Sequence, residues 1–241
     1  MVRRKLVAGN WKMNGSVAAL AELEAIAAAA RAHGDVDVAV MPPAVYIALA
    51  AERAPDLAIG AQDAHAGDCG PHTGCVSAAM IREAGGKLVI VGHSERRADH
   101  HEGNADVRDK AAAVLRQGLT AILCVGETAE ERDAGDHVAV VTRMLDDSLP
   151  EARGTGELVI AYEPVWAIGT GKVATPDDVR EMHAAIRERV GEGVRILYGG
   201  SVKADNAAEL FAVANVDGAL VGGASLTAAQ FVPIIEAAAE A

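Results

Sequence analysis

The stretch "LVIAYEPVWAIGTGKVATPDDVREMHAAIRERV", Leu158 to Val190, contains one complete structural unit. The apolar run "LVIAYE" at 158–163 is short and suits a strand buried on both faces. Thr175, followed by Pro176, Asp177 and Asp178, then opens a segment whose apolar residues recur at helical spacing. The same alternation runs along the chain. Further strand-like runs are "KLVAG" (5–9), "DVAV" (37–40), "LAIGAQ" (57–62), "KLVIVG" (87–92), "TAILCVG" (120–126), "RILYGG" (195–200) and "GALVGG" (218–223). Between most of them lie alanine-rich helical segments such as "SVAALAELEAIAAAARAH", with Ser16 as its candidate cap, and Thr227 stands before the last one. Strands alternating with helices give parallel pairing through right-handed crossovers. Eight such units predict an α/β fold, a single-domain (β/α)8 barrel over 1–241 with eight parallel strands and outer helices. An open doubly wound sheet would call for a Gly-rich turn after the first strand, where "AGNWKMNG" places Asn, Trp and Lys instead.

Composition narrows the class. The chain has 241 residues, 51% of them hydrophobic, which is enough for one large core. Its net charge of −12 argues against nucleic acid or an anionic membrane as partner. No apolar run reaches the length of a membrane span, and "MVRRKLVAGN" carries no signal-peptide pattern, so a cytoplasmic location is expected. Cys69, Cys75 and Cys124 are expected as free thiols. Zinc at Cys69 and Cys75 would need both His65 and His72, and neither a metal nor another cofactor is expected.

Active sites of such barrels gather at the C-terminal ends of the strands. Those ends deliver Asn10 and Lys12, Gln62, His93, Cys124 and Glu127, Glu163, the run Gly199-Gly200-Ser201, and the pair Gly222-Gly223. Pro164 holds Glu163 extended where the chain leaves its strand, and the long "VWAIGTGKVA" beyond it reads as a lid with Trp166 and Ile168 as covering groups. His93 precedes a helix start, where partial positive charge favours a neutral imidazole. Lys12 opposite Glu95 is a candidate anchor for an anionic substrate, and the glycines after strands seven and eight suit a phosphate.

The motifs "GNWKMN" (9–14), "GAQD" (60–63), "HTG" (72–74), "VGHSERR" (91–97), "CVGET" (124–128), "AYEPVWAIGTGK" (161–172), "YGGSV" (198–202) and "DGALVGGASL" (217–226) closely resemble those of the triosephosphate isomerase family. The resemblance spans essentially the whole chain. It implies an aldose–ketose isomerase of glycolysis and gluconeogenesis that interconverts dihydroxyacetone phosphate and D-glyceraldehyde 3-phosphate through an enediolate. Glu163 would be the base, His93 the electrophile, and Lys12 with Asn10 the groups that hold substrate and oxyanion, Glu95 supporting Lys12. Gly169, Ser201, Gly222 and Gly223 would bind the phosphate, Tyr198 with Ser201 would latch the lid, and Cys124 would pack behind the base. It also implies a homodimer in which Thr73 reaches the neighbouring active site. Where the family carries an acidic residue after "TG", this chain has Cys75, so a contact expected to pair with Arg97 is missing or made differently, and the interface becomes open to thiol reagents. A longer phosphorylated ketose, such as a tetrulose phosphate, is the alternative substrate. A Schiff-base lyase lacks a lysine at the end of strand six, Lys203 lying beyond the phosphate loop, and a purely structural barrel would have no use for Glu163, His93 and Lys12 together.

Overall fold

The structure is a computed structural model, and it describes residues 3–151, 154–167 and 173–241. All eight expected strands form: β1 (Leu6–Asn10), β2 (Asp37–Met41), β3 (Ala58–Ala61), β4 (Leu88–Val91), β5 (Thr120–Val125), β6 (Leu158–Tyr162), β7 (Arg195–Tyr198) and β8 (Gly218–Val221). They pair in chain order, every pair parallel, and β8 returns to β1 to close the barrel. At that seam Leu6 faces Gly218 and Gly9 faces Val221. Gly218 has φ of +138°, and a Cβ there would lie 1.9 Å from the Leu6 carbonyl oxygen, so only glycine lets the last strand come this close to the first.

Period-two alternation sorts the strand residues into two cores. Leu6, Ala8, Met41, Ile90, Ile122 and Leu197 point into the barrel, while Val7, Val40, Val89, Leu123 and Ile160 point outward against the helices. The outer layer consists of α1 (Glu22–Ala32), α2 (Ile47–Arg53), α3 (Ala78–Glu83), α4 (Ser94–Asp99), α5 (Asn104–Arg116), α6 (Ala129–Asp133), α7 (His137–Ser148), α8 (Pro176–Val190), α9 (Ala207–Phe211) and α10 (Ala228–Ala239). No helix among the described residues is long and apolar enough to cross a membrane.

The caps follow the sequence in part. Thr175 and Asp178 form a reciprocal capping box at the start of α8, with Pro176 in its first turn. Ser16 accepts the N–H of Ala19, but a 3-10 turn (Ala19–Ala21) intervenes before α1. Thr227 occupies the cap position of α10 without bonding its backbone, and Glu22 of α1 instead accepts the N–H of Ala228 at 2.7 Å. Arg3 and Trp11 also tie the early chain to the late one. Arg3 donates to Asp217 at 2.8 Å, and the indole N–H of Trp11 donates to the Ser225 carbonyl at 2.9 Å.

His183 of α8 is fully buried, and its Nδ1 lies 3.0 Å from the Asn215 carbonyl. A carbonyl can only accept, so the proton sits on Nδ1 and Nε2 has no partner among the described residues. Burial pushes this imidazole down from 6.5 to about 4, and the Asn215 carbonyl and Asp217 offset only part of that. The ring is therefore neutral in the folded protein at a pH where the unfolded chain binds a proton. Its stabilising effect is full above pH 6.5 and is lost as pH falls toward 4, at roughly 1.4 kcal/mol per pH unit. Urea unfolding at pH 7 and pH 5 checks this: His183→Gln is expected to lose about 2 kcal/mol less between them than the parent chain.

Candidate active site

Glu163 is the first residue after β6, and only 2% of it is exposed. Its backbone N–H continues the ladder to the Val125 carbonyl at 2.8 Å, and Pro164 follows, so the side chain leaves the barrel in one fixed direction. Space for the backbone and the side-chain stem of Glu163 comes from missing side chains. A Cβ on Gly126 would fall 1.7 Å from the Glu163 carbonyl oxygen, and one on Gly199 would fall 3.0 Å from its Cγ. Glu163 Oε2 accepts the N–H of Ser94 at 2.9 Å, and Oε1 lies 2.9 Å from His93 Nε2. The Ser94 N–H belongs to the first turn of α4, whose positive end suits a buried carboxylate. Nothing in the sequence marks this backbone contact, because any residue except proline at position 94 would supply it.

His93 stands at the N-cap of α4, as the sequence predicts, and its Nδ1 accepts the N–H of Glu95 at 3.2 Å. An accepting Nδ1 leaves the proton on Nε2, which then donates to Glu163. The sequence alone predicts a lowered imidazole pKa here, and the structure changes the direction. Burial does push His93 down, but the Glu163 charge and its hydrogen bond push harder, and the net shift is upward. That upward push lasts only while Glu163 faces the ring as a carboxylate. Cys124 of β5 is buried beside Glu163, and burial first, then the Glu163 charge, hold its thiol protonated.

Lys12 adopts φ of +52°, rare for a residue with a long side chain. Its Nζ pairs with Glu95 Oε1 at 2.7 Å, and the Asn10 side chain accepts the Lys12 N–H at 3.0 Å. Asn10, Lys12, His93, Glu95 and Glu163 share one cavity of about 610 Å³ with Ser201, Gly222 and Gly223. Tyr198 ends β7 fully buried. Burial pushes its phenol up to about 12, and its hydroxyl has no well-formed hydrogen bond among the described residues. Gly169 and Ile168 lie outside the described residues. Trp166 is not an exposed covering group: it is half-buried, its indole N–H donates to Glu127 at 2.8 Å, and Arg132 stacks on its ring.

Glu127 looks from the sequence like a second carboxylate offered to the cavity. It is fully buried elsewhere. One oxygen, Oε1, receives Tyr162 Oη at 3.0 Å, Trp166 Nε1 at 2.8 Å and Arg132 Nη1 at 3.0 Å. Arg132 also pairs with Asp178 of α8.

Thr73 and Cys75 lie on an exposed loop between β3 and α3 whose base is tied by the His65 N–H to the Val76 carbonyl at 2.8 Å. Arg97 is the residue expected to meet this loop from a second subunit. Its guanidinium is spent within the chain, on the Gly92 carbonyl at 2.8 Å, Asn104 at 2.9 Å and the Cys124 carbonyl at 3.1 Å. Neighbouring residues on a helix point about 100° apart. It is Arg96 that shares a recess with Cys75, and Arg96 is already paired with Asp63 at 3.0 Å and Glu102 at 2.7 Å.

The family model described as triosephosphate isomerase matches residues 5–238. The chain belongs to the triosephosphate isomerase family. It is 57% identical to the triosephosphate isomerase of Ruegeria sp. (strain TM1040) and 56% identical to that of Xanthobacter flavus, with 98% of each chain covered in both comparisons. A crystal structure of triosephosphate isomerase from Bartonella henselae superposes with a TM-score of 0.89 at 44% identity, covering 97% of this chain and 98% of that one. In this member of the family, the two glycines against Glu163 are as restrictive as the polar contacts. Gly126→Ala is expected to cost more than about 2 kcal/mol and to abolish activity, because the clash is with backbone that cannot swing away. Unfolding and steady-state assays on the purified variant check both effects.

Proposed function

We infer that this chain is a triosephosphate isomerase interconverting dihydroxyacetone phosphate and D-glyceraldehyde 3-phosphate by proton transfer. The observation that carries the chemistry is the buried Glu163 carboxylate in contact with His93 Nε2 at 2.9 Å, in one cavity with the Lys12 ammonium. A carboxylate shielded from water can take a proton from the carbon beside a carbonyl, and the negative charge then moves to the carbonyl oxygen as an enediolate. His93 Nε2–H donates to that oxygen, and the Lys12 ammonium stabilises its charge. Once Glu163 turns to the substrate and takes up a proton, its upward push on His93 disappears. Burial and the α4 N-terminus then favour the neutral ring, which can give a proton to one enediolate oxygen and take one from the other. Asn10 holds Lys12 and the substrate, Glu95 sets the position of the ammonium, and Ser201, Gly222 and Gly223 receive the phosphate. Tyr198 and Cys124 support the site from behind. Nothing in the comparisons favours a longer sugar.

A homodimer is supported by the exposed loop bearing Thr73 and by a recess of about 370 Å³ beside Lys12, lined by Met13, Gln62, Arg96 and Lys110, into which the loop of a second copy would fit. Met13, which lines that recess and is 97% exposed, and Val45, which follows its lining residue Ala44 and is 77% exposed, leave apolar surface for a partner to cover. Arg96, satisfied by Asp63 and Glu102 of its own chain, removes the need for an acidic residue at position 75. A cytoplasmic location accords with the absence of a membrane-crossing helix among the described residues.

Two measurements test this reading. Turnover of D-glyceraldehyde 3-phosphate is expected to be fast and to fall roughly 100-fold or more in kcat for Glu163→Asp, since one lost methylene withdraws the base by about an ångström. A four-carbon ketose phosphate run alongside should be the poorer substrate, and the reverse preference would reassign the substrate. Gel filtration at micromolar concentration is expected to show a dimer, and a monomer alone would refute that part.

A further inference from the structure

Lys12 occupies a backbone conformation that sterics disfavour by about 1 kcal/mol or more, and such residues persist only where their surroundings over-determine them. Several contacts converge on it. Before Lys12, the Trp11 N–H donates to the Met41 carbonyl at 3.1 Å, and the Trp11 ring is buried. The Lys12 N–H goes to Asn10 Oδ1 at 3.0 Å, and after it Asn14 Nδ2 returns to the Trp11 carbonyl at 2.9 Å. Among the described residues the Lys12 carbonyl is held by one group, the side-chain amide of Gln62, whose Nε2 donates to it at 2.9 Å.

That amide has a second bond. Gln62 follows directly on β3, and the same Nε2 donates to the Met41 carbonyl, the last residue of β2, also at 2.9 Å. An amide nitrogen carries two hydrogens, and both are used on carbonyl oxygens of neighbouring strand ends. Both acceptors being carbonyls, the orientation of the amide is fixed: reversed, it would set oxygen against oxygen twice. Gln62 thereby joins the C-terminal ends of three adjacent strands, and one of the three joints is the peptide that carries Lys12. Lys12 lines the catalytic cavity on one side and the neighbouring recess on the other, and Gln62 lines only the recess. It reaches the chemistry through the Lys12 backbone and not through the substrate.

We propose that Gln62 is a positioning residue for the isomerisation: its amide locks the Lys12 peptide in the left-handed conformation that aims the ammonium into the cavity. This rests on the role given to Lys12 above. Without the two N–H donors, Lys12 relaxes toward ordinary φ, and its Nζ is displaced from the place where substrate charge develops. A residue that merely stabilised the fold would lower the melting temperature and leave the kinetic constants alone.

The test is a kinetic double-mutant cycle with D-glyceraldehyde 3-phosphate as substrate, using Gln62→Met, which keeps length without donors, and Gln62→Glu, which keeps shape but only accepts. Expected is a fall in kcat/KM of roughly 10- to 100-fold with a raised KM in both, Gln62→Glu being the worse, in chains that remain folded by circular dichroism. Gln62→Asn, retaining the donors one methylene short, should recover part of the loss. In the Lys12→Ala background, Gln62→Met should change kcat/KM by less than about twofold, because the group it positions is gone. Three results would overturn the proposal: the full loss repeated in that background, normal kinetics in both Gln62 variants, or normal kinetics in Lys12→Ala itself. The last would refute the role of Lys12, whereas the first two would refute only that of Gln62.

Discussion

Parallel strands govern this molecule. A strand paired in parallel on both sides must be left and re-entered by a crossover, and the crossovers put helices on the outside all the way round. All eight strands therefore point the same way, and every chain reversal that follows a strand occurs at the same mouth of the barrel. Asn10, Gln62, His93, Glu163 and Ser201 are far apart in sequence and meet there because each stands just past or at the end of its own strand. The chemistry needs a base, a proton donor and a cation within a few ångströms, and the topology supplies them from different strands without long loops to hold them in place.

At that mouth two buried carboxylates have opposite fates, and the difference lies in what holds them. Burying an ionised carboxylate is costly unless donors replace its water. Glu127 has three strong donors on one oxygen, two of them fixed by aromatic rings and the third a guanidinium that also binds α8. It works as a structural knot between β5, β6 and the start of α8. Among the described residues Glu163 is held by the Ser94 N–H and the His93 imidazole, with the Cys124 thiol beside it and no guanidinium or ammonium, and the imidazole is the group that a substrate oxygen can take over. The lightly held carboxylate is the one free to move toward a substrate. Cys124, neutral and buried against it, adds bulk without adding a competing charge.

Much of this could be read from the chain. The eight apolar runs mark the eight strands, since a strand covered on both faces has no reason to alternate, and "TPDD" marks the start of α8 through its own capping chemistry. Asn10, Lys12, His93 and Glu163 could be assigned to one face because strand direction alone decides it. What stayed hidden depends on which side chains meet. Glu127 and Glu163 both follow buried runs and look alike until Tyr162, Trp166 and Arg132 are seen around the first. Arg96 and Arg97 are adjacent, and only the helical phase separates a residue facing the loop from one clamped inside. Thr227 has the right residue type for a cap, yet its helix is capped from α1. For His93, the sequence supplies the helix end but not the carboxylate 2.9 Å away, which reverses the net shift.

The joins between the beginning and the end of the chain bear on how it comes into being. Arg3 with Asp217, Trp11 with Ser225 and Glu22 with Ala228 link residues 214, 214 and 206 positions apart, and the β1–β8 seam lies among them. Until the last strand and helix have left the ribosome, the first strand lacks one hydrogen-bonding neighbour and the first helix one of its packing partners. The growing polypeptide therefore carries an open, apolar edge until β8 and α10 emerge, and the contacts that seal it demand loop closures of more than 200 residues. A chain folded without β8 and α10 is an unclosed sheet, with the exposed apolar edge that invites association with other chains.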